Sequence, residues 1–249
     1  MNYKLLFDTA VLAGEILIKN GAETYRVEDT MSRILNKSGV ETAQVLVIMT
    51  GFMVTLDDPS MGHALTEVRR ITSRGTNLEK IEKVNRISRE FCQDEISLED
   101  AFYKMNILIK EETRQKRNYF AIMMINAGFA IMFGGTIKET AIAALAGLIT
   151  AVILNLCRKK NVHIFLENMF ASVAIAIVVG AVVLMNPGLY DKDLMIISSI
   201  MPLVPGAAIT NAVFDTLHGD YISGVARTAE AFMIASAVAI GIGLGLIAI

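Results

Sequence analysis

The chain has 249 residues, of which 53% are hydrophobic and only 19% charged, with a mean hydropathy of +0.50; a soluble domain of this size is less apolar. A net charge of −2 excludes the basic footprint of a nucleic-acid partner. Cys92 and Cys157 fit no metal spacing and read as small packing residues, and nothing in the sequence calls for a metal or cofactor. Residues 1–117 hold 17 Lys and Arg and 18 Asp and Glu, leaving 6 and 7 for the rest, so a boundary is expected near Arg117.

In "MNYKLLFDTAVLAGEILIKN", Asp8 and Glu15 interrupt the apolar residues. The segment therefore lacks the apolar core of a signal peptide and reads as an amphipathic helix. Helical periods recur over 24–37, 77–92 and 98–113, the last after Ser97 with Asp100 three residues on, as in a capping box. Between them "AQVLVIMTGFMVTL" and "ALTEVRRIT" predict a small sheet. His63 reads as a solvated loop histidine, and the charge-balanced "NLEKIEKVNRISREF" suits either a solvated helix face or a docking surface.

The second half contains five charge-free runs close to the ~20 residues that cross hydrocarbon as a helix: 118–137, 140–157, 168–190, 194–214 and 231–249. Arg114, Lys116 and Arg117 precede the first, and Arg158, Lys159 and Lys160 separate the second from the third, which puts both clusters on the cytoplasmic side. The expected fold class is thus mixed: a small cytoplasmic α+β domain (1–117), then an all-α polytopic membrane domain (118–249) of about five transmembrane helices, its C-terminus outside.

The fourth run is the unusual one. Pro202 and Pro205 remove backbone donors and clash with the preceding turn, so the span is kinked or broken. Such a break either shapes packing alone or lines a polar cavity, as in transporter folds with discontinuous helices. Beyond it Asn211, Asp215 and His218 share one helical face, Gly219 offers a stop, and Asp220 can cap a new helix carrying Ser223, Gly224 and Arg227. Glu230 lies three residues after Arg227 and could pair with it; these charges either build a polar site or are solvated in a cytoplasmic loop. Asn126, mid-way along the first run, could hydrogen-bond a substrate or join helices.

"VPGAAITNAVFDTLHGDYISGVARTAEA" resembles the signature of the threonine/serine exporter family of bacterial inner-membrane proteins, and "GAETYRVEDTMSRI" at 21–34 resembles the start of its cytoplasmic domain. On that resemblance Pro205, Gly206, Asn211, Asp215, Gly219, Asp220, Ser223, Gly224, Arg227 and Glu230 fall on motif positions. Full-length members carry a second set of spans. This chain corresponds to the first half, and members of its size work with a separate small membrane protein; similar split pairs are linked to succinate export.

The resemblance implies a subunit of a secondary exporter in the bacterial inner membrane, for threonine or serine first and succinate second. Arg227, or the helix start after Pro205, would take the substrate carboxylate, and Asp215 or Asp220 an amino group or coupling proton. No P-loop occurs, so an ion gradient is the expected energy source. An enzyme is disfavoured: "HGDY" is loosely similar to the Gly-Asp of intramembrane aspartyl proteases, but the first three runs offer no second carboxylate in their interiors. A membrane-anchored sensor or docking protein is the remaining alternative.

Overall fold

A computed structural model describes residues 2–111 and 118–249. The cationic cluster Arg114, Lys116 and Arg117 lies outside the described residues. The elements run α1 (Tyr3–Lys19), α2 (Thr24–Asn36), β1 (Thr42–Ile48), β2 (Gly51–Asp57), β3 (Leu65–Arg70), α3 (Leu78–Cys92), α4 (Leu98–Lys110), α5 (Tyr119–Met132), α6 (Ile137–Lys159), α7 (Ile164–Met185), α8 (Lys192–Ile200), a 3-10 turn (Met201–Leu203), α9 (Gly206–Leu217) and α10 (Tyr221–Ile247).

These elements overturn the expected fold class. The chain is dominated by helix, and its one sheet among the described residues is inserted between α2 and α3 rather than defining an α+β domain that precedes five spans. Among the described residues three helices, α6, α7 and α10, are long and apolar enough to cross a membrane; a fourth crossing is reached if α8 and α9, bent by 58° at their break, count as one. The physical reasons are local. The first run yields only the 14-residue α5, about 21 Å long against the ~30 Å of hydrocarbon, because Gly134 turns the chain at φ 87° and Thr136 caps α6 reciprocally with Glu139. In the fourth run, Pro202 and Pro205 divide one apolar stretch into two helices.

The described chain forms two compact units. The first combines residues 1–115 with 209–228. Its centre is α1, whose Leu6, Phe7, Ala10, Ala13, Ile16 and Leu17 are all buried, so the helix is enclosed rather than amphipathic at a surface. Helices α2, α3 and α4 pack around it, and Gly14 lets Met31 of α2 approach where any side chain would collide with its sulfur. The antiparallel sheet, ordered β1-β2-β3, turns at Met49–Thr50. Val47, Phe52, Val54 and Leu56 face the core, and alternate residues Leu46, Met53 and Val68 stay exposed.

The second unit comprises residues 116–208 and 229–249. Its core joins Ile122, Leu154, Ile175, Val179, Met195 and Val238. Large apolar side chains such as Ile137, Leu145, Phe170, Leu184, Phe232 and Leu244 point outward, whereas Asn126, Thr150, Ser172 and Ser199 are buried. Small and polar residues inside with large apolar ones outside is the arrangement of helices packed in lipid.

Candidate functional site

Helix α2 begins without a side-chain cap of its own: Glu23 stands at the N-cap with no such hydrogen bond. An uncapped helix start leaves backbone N–H groups unsatisfied and carries partial positive charge. Asp215 of α9 supplies the missing acceptor. Its Oδ1 accepts from the Thr24 N–H at 3.0 Å and from Thr24 Oγ1 at 2.8 Å. Its Oδ2 accepts from Arg227 Nε at 2.7 Å, and the carboxylate is fully enclosed.

Arg227, also buried, donates a second hydrogen bond from its terminal nitrogen to the Ala22 carbonyl at 2.8 Å. Asn211, one turn before Asp215, donates from Nδ2 to the Gly21 carbonyl at 3.0 Å. One turn after Asp215, His218 stacks flat on Tyr25 with ring centroids 3.9 Å apart and planes within 1°. The polar face of α9 thus meets the start of α2 residue by residue, and the segments "GAETY" and "NAVFDTLH" form one cluster.

Gly219, at φ 88°, ends α9, and Asp220 starts α10 by accepting the Ser223 N–H on Oδ1 at 3.0 Å. Ser223 Oγ in turn accepts the Met49 N–H at 3.0 Å, which ties the β1–β2 turn to α10. Gly224 leaves room for α9, since a Cβ there would lie 2.1 Å from Thr216 Oγ1 and force that hydroxyl to move.

The second oxygen of Asp220 is enclosed without a hydrogen-bond partner among the described residues. Burial, and then the nearby Asp220 charge, push the Glu28 carboxyl above its ordinary range. The folded chain therefore holds the Glu28 proton more tightly than the unfolded chain does. Stability is greatest with Glu28 protonated and falls as pH rises from the ordinary carboxyl range through the raised value. Glu28→Gln should accordingly gain stability relative to the parent as pH rises above the ordinary carboxyl range; a parallel pH dependence of the two unfolding curves would show that Glu28 feels no such field.

Of the residues singled out in the sequence, Asn211, Asp215, His218, Asp220, Ser223 and Arg227 lie in the first unit, and Asn126, Pro205, Gly206 and Glu230 in the second. Arg227 pairs with Asp215, twelve positions back, and Glu230 sits half-buried one turn further along α10. Asn126 is fully buried, its amide bridging α6 and α8. Local pattern could not have identified Thr24 or Ala22 as partners, because they are 191 and 205 positions away from the groups they bind. A guanidinium beside uncapped backbone N–H groups is carboxylate-binding chemistry, filled here by the chain's own Asp215.

The family model described as "Putative threonine/serine exporter" matches residues 8–248. The chain is 23% identical over 241 residues to the Escherichia coli (strain K12) protein named "Probable succinate transporter subunit YjjP", covering 95% of this chain and 91% of that one. A Klebsiella aerogenes protein of the same name is 23% identical over 233 residues, covering 91% and 87%. The Mycobacterium tuberculosis (strain H37Rv) protein named "Probable threonine/serine exporter" is 18% identical over 251 residues, covering 99% of this chain but 46% of that protein. No solved structure matches. With the match running through nearly every element, from α1 to the end of α10, the chain belongs to the threonine/serine exporter family.

Proposed function

We propose that this chain is one subunit of a secondary exporter that moves a small carboxylate-bearing metabolite out of the cytoplasm, together with a second small membrane protein. Threonine or serine is the first reading of the cargo. Succinate is the second, favoured by the near full-length match to two relatives named as succinate transporter subunits.

The observation that carries this reading is the Asp215–Arg227 pair lodged on the start of α2. Its chemistry is that of a captured carboxylate. A solute carboxylate can compete with Asp215 for the guanidinium, and release of Asp215 then frees α9 from α2. The pair would act as a gate, with residues 1–117 cytoplasmic, the second unit in the inner membrane and the C-terminus outside. Pro205 and Gly206 form the break that lets α9 move independently of α8, while Asn211, His218, Asp220 and Ser223 hold the closed state.

The test is efflux of labelled threonine, serine and succinate from cells lacking their own exporters, expressing the chain with and without a candidate second subunit. Export of one class only when both are present is the expected result. Export of none of the three under either condition overturns the exporter reading and leaves a membrane-anchored docking protein.

A further inference from the structure

The outer face of the sheet carries a hydrophobic row that nothing in the first unit covers. In the strand register Leu46 of β1, Met53 of β2 and Val68 of β3 stand side by side, and they are 58%, 50% and 68% exposed. The next row toward the β1–β2 turn is Ile48, Gly51 and Arg70; the next row away from it is Gln44, Thr55 and Thr66. The face is thus graded, polar far from the turn, apolar and cationic close to it. A cavity of about 620 Å³ opens over the two rows nearest the turn, and Arg74 also lines it. Arg70 is exposed and has no ion pair among the described residues, unlike Arg69, which pairs with Glu15 and Glu67. A contiguous exposed apolar patch with a polar rim marks an interaction site.

What lies over it follows from where the turn is fastened. Ser223, which accepts the Met49 N–H, is in the first turn of α10, and both residues belong to the first unit. Helix α10 has 27 residues, about 40 Å at 1.5 Å per residue, which is the depth of a bilayer with its headgroup layers included. Its first turn is therefore at the headgroup level of one leaflet. Tyr221, Ile222 and Val225 at that start are exposed, an aromatic and two aliphatic side chains suited to anchoring a span at the interface. The Met49 hydrogen bond brings Ile48, Gly51 and Arg70, the sheet row beside the turn, to the same level.

We propose that this face docks on the anionic headgroups of the membrane that α10 spans, with Leu46, Ile48, Met53 and Val68 against the boundary between headgroups and acyl chains and Arg70 on a lipid phosphate. Charge and symmetry favour lipid over a second copy of this chain. Two copies facing each other in one bilayer are related by an axis along its normal. That axis would set Arg70 beside Arg70 and, at the far end of the face, Asp57 beside Asp57. A lipid phosphate supplies the anion that such a pair lacks. The docking needs only the membrane span and does not rest on the exporter reading.

The chain contains no tryptophan, so one introduced on this face reports alone. Full-length Met53→Trp and Val68→Trp, in nanodiscs of phosphatidylcholine with or without phosphatidylglycerol, would be measured for fluorescence quenching by lipids brominated near the headgroup end of the acyl chains. His63→Trp, in the β2–β3 loop at the far end of the sheet, is the control. Both face variants should be quenched more than the control, and more strongly as phosphatidylglycerol increases. Adding Arg70→Gln to Met53→Trp should make the phosphatidylglycerol-dependent part about fivefold weaker. Face variants quenched no more than His63→Trp overturn the docking and leave the surface to a protein partner. Quenching that neither phosphatidylglycerol nor Arg70→Gln alters overturns the phosphate contact.

Discussion

Arg227→Met will destabilise the chain by about 3–5 kcal/mol, the cost of leaving a buried carboxylate without its cation. Methionine keeps most of the arginine volume, so the loss reports charge and hydrogen bonding rather than a cavity. Asp215, fully enclosed, would retain only the two Thr24 donors, and the Ala22 carbonyl would lose the guanidinium. For a chain of this length the shift amounts to roughly 10 °C in Tm. Asp215→Asn alone should also destabilise, because it leaves a buried guanidinium without its counter-charge while preserving an acceptor for Thr24. The double variant should recover most of the stability, since neither charge then remains to be solvated by the protein. Thermal unfolding of the four proteins completes the cycle; losses that simply add would mean that the pair does not couple.

The second large effect is expected in the other unit, at the packing of α10 on α7. A Cβ on Gly241 would lie 2.5 Å from the Met169 carbonyl oxygen, and one on Gly245 would lie 2.7 Å from that of Val173. Backbone cannot yield as a flexible side chain can. The two glycines are four residues apart on one face, the small-residue spacing that lets apolar helices approach closely. Gly241→Val and Gly245→Val should each cost about 3 kcal/mol or more through overpacking. Gly243, between them, faces open space, so Gly243→Ala should be neutral or slightly stabilising. Size-exclusion profiles and Tm of the three variants check this, and equal behaviour of all three would remove the close packing from the account.

Much of this arrangement was legible in the sequence. Strand residues such as Val45, Val47 and Val54 marked the sheet, Pro202 and Pro205 marked the break before α9, and the spacing of Asn211, Asp215 and His218 marked a polar face. What that face meets was not legible, because hydrophobic period and helix caps are local, while Thr24 and Asp215 meet only through the folded chain. Span counting failed for a related reason. Absence of charge identified an apolar run at 118–137, but helix length there is set by Gly134 and the Thr136–Glu139 cap, so α5 stops short. The enclosed hydroxyls of Thr150 and Ser199, without a hydrogen-bond partner among the described residues, were equally hidden, since an isolated hydroxyl in an apolar run is indistinguishable from one that bonds its own helix.

The unfolding cycle also supplies the reagent for separating gate from strut. The Asp215→Asn, Arg227→Met double variant is expected to fold and reach the membrane, yet it has no guanidinium with which to exchange one carboxylate for another. The most direct measurement is therefore efflux of the labelled solute by this double variant, with the proposed second subunit present and membrane abundance matched to the parent. The gate account predicts that export falls to the background of cells without the chain. Export at the parental rate would contradict it and reduce the pair to a fastening between α2, α9 and α10.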